Sequence, residues 1–153
     1  MKDQFFTDYL DRLEALRDNL RREIQDLNQE AMDWLPGTRM NSMAVLMAHI
    51  TGVVREGIDL SLGGPSGRIR EQEFQTHSMS GTVMLRGLDD VIEYARNALP
   101  RLDLEELRNE REDEDGTFTC GWVLLHALDH AYLHLGHLQI TCQMWKQGEM
   151  SRR

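Results

Sequence analysis

Four of the six histidines fall within twelve residues, in the apolar run from Leu124 to Leu138. His126, His130 and His134 repeat at i, i+4 and i+8. A helix turns about 100° per residue, so each four-residue step drifts by only about 40°. The spacing therefore predicts a ladder of imidazoles on one helical face, with His137 inside the same arc. Imidazoles buried together without partners would leave ring nitrogens unsatisfied, at about 1–3 kcal/mol each. A divalent cation removes that cost by accepting one nitrogen from each ring. Metal binding is the chemistry this pattern suggests.

His49 lies in a second apolar helical run, between Val45, Leu46 and Val53. Two helices supplying His49, His130 and His134 would make a three-nitrogen set with positions left over for water or substrate, as in catalytic metal sites. A lone buried histidine is more often a hydrogen-bonded core residue, so the i, i+4 pair His130/His134 carries the argument. With His130 at the centre of its face, Val123, Thr141 and Met144 share the histidine arc. Leu124, Ala131, Leu135, Leu138 and Cys142 form one shoulder, and Leu133 and Ile140 the other. Asp129, Gln139, Gln143 and Lys146 point the opposite way. The expectation is that the histidines occupy the middle of the buried face. His77 falls in an aperiodic stretch and reads as a solvated surface residue.

The elements that must hold these residues are helices. Phe6, Tyr9, Leu10, Leu13, Leu16, Leu20, Ile24 and Leu27 recur at three- and four-residue steps, which predicts a long amphipathic first helix. Trp34-Leu-Pro-Gly37 breaks it. Asn41 or Ser42 caps a second helix reaching about Leu62, and Gly63-Gly-Pro-Ser-Gly67 stops it. Residues 68–80 read as a loop. A third helix spans about Gly81 to Leu99, with Val83, Leu88, Val91, Ile92 and Ala95 inward and Pro100 behind it. Residues 101–116 read as a solvated connection with a short helical turn. A fourth helix runs from about Thr119 to Gln147. No hairpin signal and no useful period-2 run is evident, so the expected fold is an all-α four-helix bundle forming a single domain over 1–153, with cofactor sites built from inward side chains.

Composition narrows the function. Lys plus Arg number 17 against 26 Asp plus Glu, a net charge of −9, which repels phosphate backbones. The basic cluster at Ser151-Arg-Arg153 is too small to offset this, so nucleic acid is not an expected partner. Cys120 and Cys142 have no CxxC spacing and read as small apolar core residues of a reducing compartment. The amphipathic start lacks the apolar core of a signal peptide, and no apolar run approaches the roughly 18 residues of a membrane span. The expectation is a cytoplasmic protein.

His49 on the second helix, with His130-x-x-x-His134 and Leu135-Gly136-His137 on the fourth, resembles the DinB/YfiT-like metalloproteins. The long first helix, the Trp34-Leu-Pro-Gly37 loop and the run from Met43 to Ile50 fit as well, so the resemblance covers most of the chain. It implies a bundle with up-down-down-up connections, a homodimer, and zinc or nickel held by histidines matching His49, His130 and His134. It further implies that a low-molecular-weight thiol serves as cosubstrate of a transferase or isomerase in some members. A related branch has Glu where this chain has His130, so the three-histidine pattern is the better match here.

Three neutral imidazoles leave a divalent ion its full charge, which favours ionisation of a bound thiol or water. The ion would thus activate a thiol for transfer, or water for metal-dependent hydrolysis; a structural, storage or sensing metal is the non-enzymatic alternative. Both enzymatic readings need a proton acceptor. Glu56, seven residues after His49, is nearly eclipsed with it but about 10 Å further along the axis. It reads equally as a base and as a salt-bridged carboxylate. His126 reads as an orienting partner, an outer ligand or a pocket-lining base. Asp129 faces outward. Cys142 lies on an apolar flank, whereas the helix dipole would lower the pKa of Cys120, a weaker candidate nucleophile without an evident base.

Overall fold

The computed structural model describes residues 3–151; Arg152 and Arg153 of the terminal basic cluster lie outside the described residues. Helix α1 (Gln4–Ile24) buries Phe6, Tyr9, Leu13, Leu16, Leu20 and Ile24 along one stripe. It stops before Leu27, and a short helix α2 (Gln29–Asp33) follows, capped by the Asn28 side chain. Helix α3 (Met43–Ser61) begins where Ser42 Oγ accepts the Val45 N–H at 3.2 Å. A single-turn helix α4 (Arg70–Glu73) lies within the expected loop. Helix α5 (Gly81–Ala98) is capped by Ser80, and α6 (Cys120–Ser151) closes the bundle.

Contacts between helices give their directions. Arg21 pairs with Asp89 and Glu14 with Arg96, so α1 and α5 run antiparallel. Tyr132 donates to the Arg12 carbonyl and Cys142 approaches the Glu23 carbonyl, so α1 and α6 run parallel. His49 meets His130 while Cys120 meets the Ser61 carbonyl, which makes α3 antiparallel to α6. The result is an all-α, up-down-down-up four-helix bundle. Its core joins Leu13, Leu20, Met47, Ile50, Leu88 and Leu138, all fully buried. The approach of α3 to α6 is close: a Cβ at Gly57 would lie 2.5 Å from the Ala127 Cβ.

The structure corrects three expectations. Residues 101–116 are not merely a helical turn. Two short 3₁₀ segments, Leu99–Arg101 and Leu104–Arg108, lead into an antiparallel hairpin of β1 (Glu110–Asp113) and β2 (Gly116–Thr119). Asp113 Oδ1 accepts the N–H groups of Asp115 and Gly116, and Gly116 takes φ of 139°. Arg111 ties the hairpin to the Ser61 carbonyl at 2.9 Å. Val83 is 48% exposed, because it lies off the stripe of Gly81, Met84, Leu85 and Leu88 that α5 buries. On α6 the buried face centres on Leu124, Ala131, Leu135, Leu138 and Cys142, while Leu133 and Ile140 are exposed. The histidines thus border the core rather than occupying its middle. No helix among the described residues is long and apolar enough to cross a membrane.

Candidate metal centre

Antiparallel packing of α3 against α6 sets His49 opposite His130 and His134. His130 Nε2 lies 2.9 Å from His49 Nε2 and 3.1 Å from His134 Nε2. One ring nitrogen from each of the three lies within 4.8 Å of the others. Imidazole nitrogens bound to one ion at about 2.0–2.1 Å stand about 2.9–3.4 Å apart for angles between 90° and tetrahedral. The two measured spacings fall in that range, and neutral histidine is a preferred ligand of zinc and similar ions. This three-histidine group fits a divalent metal.

The two α6 rings are also held neutral. Burial, followed by the charges of His49 and its other neighbours, lowers the pKa of His130. Burial, then His49, His130, His137 and Arg68, brings that of His134 down to about 4. A neutral imidazole keeps a lone pair for a cation. His137 is exposed and sets its Nδ1 3.3 Å from His134 Nδ1, where it can accept a hydrogen bond from His134 Nδ1–H, the tautomer that leaves His134 Nε2 bare.

The structure adds two residues that sequence reasoning missed. Glu73, only 7% exposed, places Oε2 2.8 Å from His49 Nδ1. Arg68 donates from Nε and Nη2 to the two Glu73 oxygens at 2.6 and 2.9 Å. Against burial, which raises the Glu73 pKa, hydrogen bonds from Arg68 and His49 hold it below the usual carboxylate range. Both residues lie in the segment read as a loop. An Arg-x₄-Glu spacing carries no periodic signal, so only the tertiary path of the chain reveals them.

The two candidate catalytic residues line one cleft of about 170 Å³ that reaches His49 and His130. Glu56 is committed there: its oxygens accept from Ser66 Oγ and Arg68 Nη1, each at 2.7 Å. It anchors Arg68. His126 is exposed and stands apart from the three-nitrogen group, stacked on Trp122 at 4.6 Å, with its ring centroid 5.5 Å from that of His130. Asp129 and His77 are exposed. Burial pushes both thiols up in pKa, and at Cys120 it opposes the lowering expected from the helix dipole.

Fold and site together define a helical bundle with a three-imidazole centre suited to a divalent ion. The DinB superfamily model matches residues 12–138, and the chain belongs to that superfamily. A conserved protein from Enterococcus faecalis has the same fold at TM-score 0.78 and 13% identity, with 96% of this chain and 99% of that one covered. A DinB-like protein from Bacillus subtilis aligns at TM-score 0.70 and 17% identity, covering 89% and 90% respectively. Among curated proteins there is no significant match.

Proposed function

We propose that the chain binds one divalent ion, zinc or nickel, through His49, His130 and His134, and activates a low-molecular-weight thiol there for transfer or isomerisation. The observation that carries this reading is the convergence of three imidazole nitrogens, with two of the three histidines, His49 and His130, lining a cleft. When bound, such an ion retains its double positive charge and lowers the pKa of a thiol or water beside it. A purely structural metal would be enclosed by protein, whereas this cleft opens to solvent beside His126.

The protein's own groups divide the remaining work. Val53, Leu60, Val123 and Ala127 line the cleft with apolar surface and limit water near the histidines. His126 faces the same cleft and is the better-placed proton acceptor, because Glu56 is already engaged by Ser66 and Arg68. A cytoplasmic setting is supported by two buried, unbridged cysteines. A homodimer is carried over from the family resemblance.

The test uses cobalt-substituted protein titrated with glutathione, bacillithiol and mycothiol. The reading expects a thiol-dependent change in the visible spectrum, and conjugation to a model electrophile faster than by the His134→Ala variant. Turnover of ester or amide substrates without thiol would favour the hydrolase instead. A spectrum insensitive to every thiol, with no turnover, would leave a sensing or structural metal as the better account.

A further inference from the structure

His49 Nδ1 has two competing neighbours. Glu73 Oε2 lies 2.8 Å away and Arg68 Nη2 3.0 Å away. An ionised carboxylate only accepts hydrogen bonds, and a guanidinium only donates them. The two contacts therefore demand opposite protonation of the same atom. If Nδ1 carries the proton, it donates to Glu73 and Nε2 presents a bare lone pair toward His130. If Nδ1 is bare, Arg68 donates to it, the proton moves to Nε2, and His49 is closed to a metal.

We propose that Glu73 is the positioning residue that opens His49 to the metal, by winning Nδ1 from Arg68. Three features favour Glu73 in this competition. Its contact is the shorter. Arg68 already directs Nε and Nη2 to Glu73 and Nη1 to Glu56, so its donors have carboxylate acceptors and lose little by yielding Nδ1. The fold also makes room for the carboxylate: a Cβ on Gly52, one turn along α3 from His49, would collide with Glu73 Oε1 and crowd Arg68 Nε at 3.2 Å. Gly52 is needed here for that space. Carboxylates hydrogen-bonded to the far nitrogen of a ligating histidine fix its ring and tautomer and strengthen it as a donor.

The metal-affinity part of this inference rests on the proposed three-histidine centre; the tautomer part does not. The experiment records long-range ¹H–¹⁵N correlations of the imidazoles in metal-free protein, then zinc affinity by chelator competition. Wild type is expected to hold His49 as the Nδ1–H tautomer. Glu73→Ala should convert it to Nε2–H and weaken zinc binding by about 10–100-fold. The Glu73→Ala/Arg68→Ala double variant, which removes both competitors, should regain part of that affinity. Should loss of the carboxylate beside Arg68 prevent folding, Gly52→Ala displaces Glu73 without removing any ionisable group and should shift the tautomer the same way. An Nε2–H tautomer in wild type, or an unchanged tautomer in the folded variants, would overturn the proposal. A tautomer shift in a protein that binds no zinc would refute the metal reading while leaving the role of Glu73 intact.

Discussion

At the scale of single residues, the environment of His134 makes protonation costly, and the consequence for pH can be worked out. Its folded pKa, about 4, lies below the ordinary histidine value of 6.5. Between those values the unfolded chain binds more protons than the folded one, so stability falls as pH drops. The contribution is fully present above about pH 6.5 and is lost on descent toward pH 4. Thermal unfolding of metal-free protein should show this slope, and His134→Ala should flatten it; an unchanged slope would mean His134 is not the group responsible. Substitutions separate ligands from neighbours in the same way. His130→Ala and His134→Ala should abolish metal retention and His77→Ala should leave it unchanged. His126→Ala should reduce it modestly at most, because His126 stacks on Trp122 outside the three-nitrogen group. Retention as sensitive to His126 as to His134 would move the ligand set one turn along α6. The histidines could be read from sequence because helical period alone aligns them. Glu73 and Arg68 could not, since their approach to His49 depends on how residues 62–80 fold back over α3.

At the scale of elements, the centre depends on how closely α3 and α6 pack. Gly57 faces Ala127 with no room for a side chain. Gly57→Ala should cost about 1–3 kcal/mol through overpacking, and should also loosen zinc binding by moving His49 away from His130. Urea unfolding and chelator competition on the same preparation check both effects; a variant unchanged in either would show that the helices have slack. The long helices were legible because their apolar stripes extend over many turns and Ser42 and Ser80 mark two starts. The hairpin was not, because each strand has only four residues and its partly buried pair, Arg111 and Phe118, is too short a record of alternation. Asp115-Gly116 was the one usable signal, as Asp-Gly favours a tight hairpin turn. The face of α6 was misjudged because apolar residues lie on both sides of the histidines. Composition alone does not reveal that Leu133 and Ile140 stay exposed while Leu124 and Leu138 are buried.

At the scale of the whole molecule, the bundle is the scaffold and the centre is local to two of its helices. The up-down-down-up connections follow from the helix contacts of this chain, and solved structures at 13% and 17% identity share its fold. A net charge of −9 argues against a nucleic-acid partner, so the chain should not retard duplex DNA in a gel at physiological salt. Sedimentation equilibrium tests the homodimer carried over from the family: a single species of twice the 17.8 kDa chain mass is the expected result. The central claim, however, is that His49, His130 and His134 hold one ion. Elemental analysis of the untagged protein, purified beside its His134→Ala variant and both incubated with zinc and nickel, tests it most directly. About one divalent ion per wild-type chain is expected, and almost none in the variant. A wild-type chain that stays metal-free, or two proteins with equal metal content, would contradict the claim.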